Sequence, residues 1–150
     1  MEDSLVLCRT EKLPTDLDRL IAASLREDFH ALQRMRQEWD GGVNRFGESG
    51  EALFEAHLGQ DLVGICGLNR DPYANVNTVA RLRHLYVMPH YRLCGVGRGL
   101  VAILLAHAAP NFRRVRLRTD RPDADRFYLA LGFEKTSGDP ESTHQIWLLR

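Results

Sequence analysis

The stretch HLYVMPHYRLCGVGRGLVAILLAHA, residues 84–108, joins a strand-like run to a helix-like run through a glycine-rich turn. The predicted strand ends at Pro89, because proline cannot donate to a sheet ladder. Three glycines alternate between residues 95 and 99, and the apolar residues that follow predict a helix from about Val96 to Ala108. Glycines let a backbone fold tightly against an anion, and a helix start adds free N–H groups and the positive end of the dipole. The turn is therefore predicted to bind a diphosphate.

Two familiar phosphate-binding patterns do not fit this turn. The GxxxxGK[ST] loop requires a lysine that is missing here. The GxGxxG fingerprint fails because its third glycine is replaced by Leu100.

The rest of the chain alternates predicted strands and helices without a repeat. A strand (SLVLCRT) precedes a helical run that breaks near Arg26–Asp28, and a hairpin (ALFEAHL and LVGICGLN) leads to the strand before the turn. A further strand, a helix closed by Gly132 and two C-terminal strands (FEKTSG and HQIWLLR) follow. The order β-αα-ββ-β-α-β-α-ββ predicts one mixed α/β domain over residues 1–150. The glycine-rich loop Asp40–Glu51 suits either a lid or a plain connector.

Composition excludes several classes of protein. Twenty basic residues balance twenty acidic ones, so we expect no nucleic-acid partner. No apolar run reaches the length of a membrane span, and the start lacks the pattern of a signal peptide. Cys8, Cys66 and Cys94 are widely spaced and without a CxxC pair, which argues against disulfides and metal sites and favours the cytoplasm.

Three ordered sequence blocks point to one family. The turn reads R-x-x-G-x-G at Arg92, Gly95 and Gly97, the block LYVMPHYR lies just upstream, and DADRFYLALGFEK lies some thirty residues downstream. Over about residues 80–135 the chain resembles the GNAT superfamily of N-acetyltransferases. The resemblance implies a mixed sheet with splayed central strands, and acetyl-CoA as the acyl donor with no metal.

The resemblance also implies roles for individual residues. The backbone of the strand before the turn would pair with the pantetheine arm, and one of its N–H groups would polarise the thioester carbonyl. Tyr128 matches the tyrosine that protonates the departing thiolate, although packing alone would also explain a buried aromatic residue. Arg121 stands where the family often has an asparagine, and it would reach a phosphate or face solvent. The coenzyme-binding residues implied are Leu85, Tyr86, Val87, Arg92, Leu93, Cys94, Gly95, Val96, Gly97, Arg98 and Arg121.

The general base is the clearest departure from the family pattern. Many members carry a glutamate near the position of Arg81, and arginine cannot accept a proton at neutral pH. His84 is the first candidate, because an imidazole titrates near neutrality. Glu55 and His57 share a face of the neighbouring strand, and water or the C-terminal strands, His144 among them, are further alternatives.

The expected activity is therefore transfer of an acetyl group to a primary amine of a small molecule or peptide. A non-catalytic acetyl-CoA sensor and an acyltransferase using a longer acyl chain are the alternatives. No membrane partner is expected, and homodimer formation stays open. Arg114, Arg116 and Arg118 share one strand face, which is either paired with carboxylates or directed at the 3′-phosphate or an acidic partner.

Overall fold

A computed structural model describes residues 4–149 of the chain. Arg150, the last residue of the predicted C-terminal strand, and residues 1–3 lie outside this range. The predicted order of elements is confirmed, with both C-terminal strands shorter than expected. The elements are β1 (Leu5–Thr10), α1 (Leu17–Arg26), α2 (Ala31–Asp40), β2 (Ala52–Leu58), β3 (Asp61–Arg70), β4 (Val79–Val87), a 3₁₀ turn (Pro89–Tyr91), α3 (Val96–Ala108), β5 (Arg114–Leu117), α4 (Pro122–Ala130), β6 (Glu134–Lys135) and β7 (His144–Trp147).

The strands form one mixed seven-stranded sheet in the order β1-β2-β3-β4-β5-β7-β6. All neighbours are antiparallel except β4 and β5, which pair in parallel over Val79–Arg81 and Arg114–Arg116 alone. Beyond Arg81 the two strands part, and no described strand pairs with that edge of β4. The predicted splay of the central strands is confirmed, and it opens a crevice between β4 and β5.

Two apolar layers cover the sheet. Helices α3 and α4 pack on one face around Leu100, Leu104 and Phe112. Helices α1 and α2 pack on the other face around Leu20 and Met35, over β2, β3 and β4. On this second face none of the described helices lies over β5 and β7, and Trp147 of β7 is 57% exposed. Among residues 4–149, no helix is long and apolar enough to cross a membrane.

A β-bulge in β4 decides which side chains face which layer. The register against β3 shifts between Ile65 and Gly67, and His84 adopts a left-handed backbone with φ of 62°. Because a bulge adds one residue to a strand, the alternation of side chains changes phase there. Leu82 and Leu85 consequently both pack towards α3, whereas Tyr86 packs with α1 and α2.

The glycine-rich segment from Asp40 to Glu51 is fastened to the sheet. The Phe46 ring is buried and lies so close to Gly67 that a Cβ there would be 2.4 Å from the ring. Asn44 and Asn69 exchange hydrogen bonds of 2.9 and 3.0 Å between their side-chain amides. Glu51 accepts bonds from the Asn69 amide and the Arg70 backbone. Of the two readings of this loop, the contacts favour a fixed connector over a lid.

Candidate functional site

The glycine-rich turn presents free backbone donors at the start of α3. Gly95 is the residue before the helix and has φ of 83°, and Leu93 is also left-handed with φ of 65°. The first intrahelical bond runs from the Gly99 N–H to the Gly95 carbonyl. The amides of residues 96–98 therefore lack an intrahelical acceptor, and they sit at the positive end of the helix dipole. This geometry suits an anion, as the sequence predicted.

The three glycines of the turn meet three different needs. Gly95 supplies the left-handed conformation, and a Cβ there would meet nothing within 4 Å. A Cβ at Gly97 would lie 3.2 Å from the Phe127 ring of α4. At Gly99 it would lie 2.7 Å from Leu7 of β1. Two of the glycines therefore allow α3 to pack closely, whatever the turn binds.

Arg92 is held by a carboxylate from the end of α1. Its guanidinium donates two hydrogen bonds of 2.7 Å to Glu27, and its Nε donates to the Val87 carbonyl at 3.0 Å. The Tyr86 hydroxyl donates to the same carboxylate at 2.5 Å, and Arg92 lies over the Tyr86 ring. The hydrogen bonds from Arg92 are the main reason that the pKa of Glu27 is lowered. Sequence reasoning missed Glu27, whose only local signal was the break between two predicted helices.

Arg121 lies across the crevice from this cluster. It precedes α4, is half-exposed, and its Nε is 3.7 Å from the Asp123 carboxylate. The charge of Arg121 contributes to lowering the pKa of Glu27, and that of Asp123 contributes to raising the pKa of Arg92. The start of α4 and the turn thus face each other at the mouth of the crevice. Each side carries one arginine and one carboxylate: Arg121 with Asp123 on α4, and Arg92 with Glu27 on the other side.

Tyr128 is buried in the wall that α4 contributes. Its ring contacts Phe127 and Phe133 and lies 6.0 Å from the His144 ring. Within residues 4–149 its hydroxyl makes no hydrogen bond. Burial raises the pKa of Tyr128, so the hydroxyl keeps its proton at neutral pH, as a proton donor must.

His84 lies on the other face of the sheet, under α2. Burial, and then the charges of Arg83 and Arg34, lower the pKa of His84 to about 3. The backbone of Ala31 opposes this shift, although neither ring nitrogen reaches a hydrogen-bond partner of good geometry among the described residues. The imidazole is therefore neutral and able to accept a proton, but it is a weak base. As the general base, His84 stays a prediction.

The other candidate bases lie on β2 and β7. Glu55 and His57 of β2 are joined by a 3.0 Å contact, and β3 separates them from β4. Together with the segment between β1 and α1 they line a cavity of about 260 Å³. His144 of β7 is buried, and its two ring nitrogens contact Asp125 at 2.7 Å and Thr143 at 2.8 Å. His144 is thus fully engaged in joining β7 to α4.

The arginine-rich face of β5 is largely structural. Arg116 contacts Asp71 at 2.5 Å and Asp139 at 2.7 Å, and Arg81 of β4 contacts the same Asp71. Arg114 donates to the Gln145 side chain at 2.6 Å, and Arg118 lies 3.8 Å from Asp120. Of the two predictions for this face, pairing with carboxylates is therefore found for Arg116 and, at longer range, for Arg118.

These features combine an anion cradle with an unpaired strand edge. The free amides of the turn can bind a diphosphate, and the open edge of β4 can add an extended, amide-containing chain as a further strand. Tyr128 can supply a proton from the opposite wall. The crevice is thus shaped for a long ligand with a phosphate end and an extended arm.

Comparisons with known proteins agree with this shape. The model of the acetyltransferase (GNAT) domain matches residues 49–135. Sequence comparison with curated proteins finds no significant match.

Solved structures share the fold over nearly the whole chain. A presumed acetyltransferase from Exiguobacterium sp. 255-15 aligns with a TM-score of 0.86 and 27% identity, covering 96% of this chain and 93% of that one. A GNAT-family acetyltransferase from Staphylococcus aureus Mu50 aligns with a TM-score of 0.68 and 19% identity, over 96% and 100% of the two chains. YncA, a presumed acetyltransferase from Salmonella typhimurium solved with its cofactor acetyl-CoA, aligns with a TM-score of 0.70 and 14% identity, over 97% and 95%.

Proposed function

The chain belongs to the GNAT family of acetyltransferases, and on that premise we propose that it transfers an acetyl group from acetyl-CoA to a primary amine. The acceptor is a small molecule or a peptide. The observation that carries the proposal is the juxtaposition of the free amides at the start of α3 with the unpaired edge of β4. A diphosphate joined to an extended chain of amides fits both at once.

The coenzyme would be held mainly by backbone groups. The amides of residues 93–98 would bind its diphosphate, with Arg92 and Arg121 adding positive charge at the mouth of the crevice. The edge of β4 at Leu85–Val87 would pair with the pantetheine arm. When bound, acetyl-CoA supplies an activated thioester. A fixed strand N–H directed at the thioester carbonyl would stabilise developing negative charge, an effect worth about 3 kcal/mol for a single donor.

Two proton movements complete the proposed reaction. Tyr128 donates its hydroxyl proton to the leaving sulfur. Burial raises the pKa of Tyr128, which keeps the hydroxyl protonated before the reaction but also makes it a weaker acid, so the transfer depends on the hydroxyl lying next to the sulfur. The incoming ammonium must lose a proton, and His84 remains the residue predicted to take it. Because the pKa of His84 is about 3, a water molecule is the alternative acceptor, one that needs no ionisable side chain.

Coenzyme release from acetyl-CoA in the presence of a panel of amines tests the activity. Turnover on at least one amine is expected, and Tyr128→Phe should lower the single-turnover rate roughly 10²- to 10⁴-fold because it removes only the proton donor. Tyr73→Phe, at an exposed tyrosine, is the matched control and should keep the full rate.

Two results would contradict the proposal. Binding of acetyl-CoA without turnover on any amine would identify a coenzyme sensor instead of an enzyme. A full single-turnover rate in Tyr128→Phe would remove this tyrosine from the mechanism. Gly97 variants do not serve as a test of coenzyme binding, because a side chain there would first press on Phe127.

A further inference from the structure

Arg83 is a half-buried guanidinium without a carboxylate partner. It lies on the part of β4 whose outer edge is unpaired, and no described acidic side chain comes within 4.0 Å of it. Among residues 4–149 its side chain makes one hydrogen bond, a marginal one of 3.5 Å to the Asn69 amide oxygen. A guanidinium has five N–H donors, and charged groups removed from water are normally paired. Most of the Arg83 donors are therefore available to a ligand.

Arg34 of α2 brings a second free guanidinium to the same place. It is exposed, and it likewise has no carboxylate within 4.0 Å among residues 4–149. Arg34 lies on α2, which packs on β4. Arg83 approaches Asn69, which also bonds to Asn44 of the segment that follows α2, so both arginines lie on the α2 side of β4. Nearby, Arg81 and Arg116 share Asp71, and Arg116 also binds Asp139. Those two arginines are balanced by the two aspartates, so the positive charge of this face comes from Arg34 and Arg83.

Glu51 is linked to Arg83 only indirectly. It is reached only through Asn69, whose amide bonds to Glu51 at 3.0 Å. Glu51 also accepts hydrogen bonds from the backbone amides of Glu48 and Arg70. Its charge is therefore stabilised by N–H groups, without direct contact with Arg83.

The position of Arg83 relates it to the second substrate. The coenzyme turn and Tyr128 lie on the α3 and α4 side of the crevice, so the acceptor must enter from the opposite face. That is the face on which Arg83 and Arg34 lie. At about 3.3 Å per residue, Arg83 lies within roughly 10 Å of Tyr86 along β4. An acceptor amine next to the β4 edge could place a group at its other end against Arg83.

We propose that the acceptor is a small amine that also carries an anionic group, a carboxylate or a phosphonate-like group, which Arg83 and Arg34 bind. This inference rests on the proposed acetyltransferase function and names its substrate class. Arg83 is the specificity-determining residue, since its half-buried fork is preorganised for bidentate contact with anionic oxygens. Arg34 adds a second, more exposed charge.

Matched amines of equal length test the proposal. The rate constant kcat/KM is measured for 4-aminobutanoate, 4-aminobutanamide, 3-aminopropylphosphonate and 1,4-diaminobutane. A charge-assisted contact should favour the anionic amines over the neutral amide roughly 10- to 100-fold. The carboxylate and phosphonate arms show which anionic group fits better, and a preference for either one supports the proposal.

Substitutions assign the preference to residues. Arg83→Gln should bring the ratio of anionic to neutral kcat/KM close to one, Arg83→Lys should leave an intermediate ratio, and Arg34→Gln should lower it. Arg9→Gln, at an exposed arginine on β1, is the matched control and should keep the wild-type ratio. If Arg83 only supports Asn69 and Glu51, its variants will lower the melting temperature and the rates on all amines alike. The ratio of anionic to neutral kcat/KM then stays unchanged, and that result overturns the role of Arg83 in specificity. Should Arg83→Gln fail to fold, the ratio of anionic to neutral kcat/KM in the exposed Arg34→Gln variant still tests the proposal, and an unchanged ratio there overturns it.

The possible failures can be told apart. Turnover of the neutral amide or the diamine as fast as the anionic amines overturns this inference and leaves the acetyltransferase function intact. Binding of acetyl-CoA with no turnover on any of the four amines or on the wider panel overturns the proposed function, and this inference falls with it.

Discussion

The left-handed backbone at His84 belongs to the β4 bulge, which turns the imidazole towards Phe46. Histidine is among the residues that tolerate this conformation, and asparagine tolerates it as well. His84 as a residue is 9% exposed, and its ring packs edge-on against Phe46. Because burial and two arginines disfavour its charged form, the folded protein holds His84 neutral well below the pH at which an unfolded chain would protonate it.

His84 should therefore make stability depend on pH. Its pKa is about 3 in the folded protein and about 6.5 in the unfolded chain, so between these values the unfolded state binds the extra proton. The free energy of unfolding should fall as the pH is lowered through this window, by about 2 kcal/mol between pH 7 and pH 5. His84→Asn keeps the backbone conformation and should remove this part of the slope. Urea unfolding at several pH values measures it, and equal slopes for the two proteins would contradict the expectation.

The segment between α2 and β2 behaves as part of the core. Glycine-rich composition suggested either a lid or a connector, and the sequence could not show that Phe46 would seat on Gly67. That contact depends on strand β3, some twenty residues away along the chain. A local composition cannot report it, because only the assembled sheet places the two residues face to face.

Gly67→Ala should destabilise the protein through this element. The new methyl group would lie 2.4 Å from Phe46 Cε1, and such overpacking typically costs about 1 to 3 kcal/mol. Gly47→Ala is the matched control, since a Cβ at Gly47 meets nothing within 4 Å and should change stability little. Thermal or urea unfolding compares the two variants. In the Gly67→Ala background, Phe46→Leu should recover part of the loss, and equal stability of the two alanine variants would refute the contact.

At the scale of the whole molecule, the blocks that the sequence predicted are those set by local chemistry. The strand before Pro89, the glycine turn and the helix from Val96 depend on neighbours along the chain, and they lie where the sequence put them. The contacts that complete the crevice join distant elements. Glu27 contacts Arg92 and Asp71 contacts Arg116, although the partners of each pair are far apart along the chain and no sequence motif relates them. The β4 bulge likewise depends on the pairing with β3. The sequence therefore could not predict on which face of the sheet the side chains of Tyr86 and His84 lie.

Asp71 holds the two halves of the molecule together. Among the described residues, strands β1 to β4 pair with strands β5 to β7 only through the short parallel pairing of β4 with β5, whose last pair is Arg81 with Arg116. The Asp71 side chain has no exposed surface, and its Oδ2 contacts both arginines, at 3.4 and 2.5 Å. Its Oδ1 accepts the Tyr73 amide at 2.8 Å. The carboxylate thus balances two buried charges at the vertex of the splay.

Removing this charge should weaken the junction of the two half-sheets more than any single surface ion pair could. Asp71→Asn keeps the shape but leaves Arg81 and Arg116 buried with less compensation, and breaking a buried pair in this way typically costs about 3 to 5 kcal/mol. Asp120→Asn, which affects the exposed 3.8 Å pair with Arg118, is the control and should cost less than about 1 kcal/mol. Urea unfolding measures both free energies, and hydrogen exchange should show faster opening of the β5 amides in Asp71→Asn. If the two variants were equally stable, the vertex would be held by backbone pairing alone, and the charge network would be incidental to the splay.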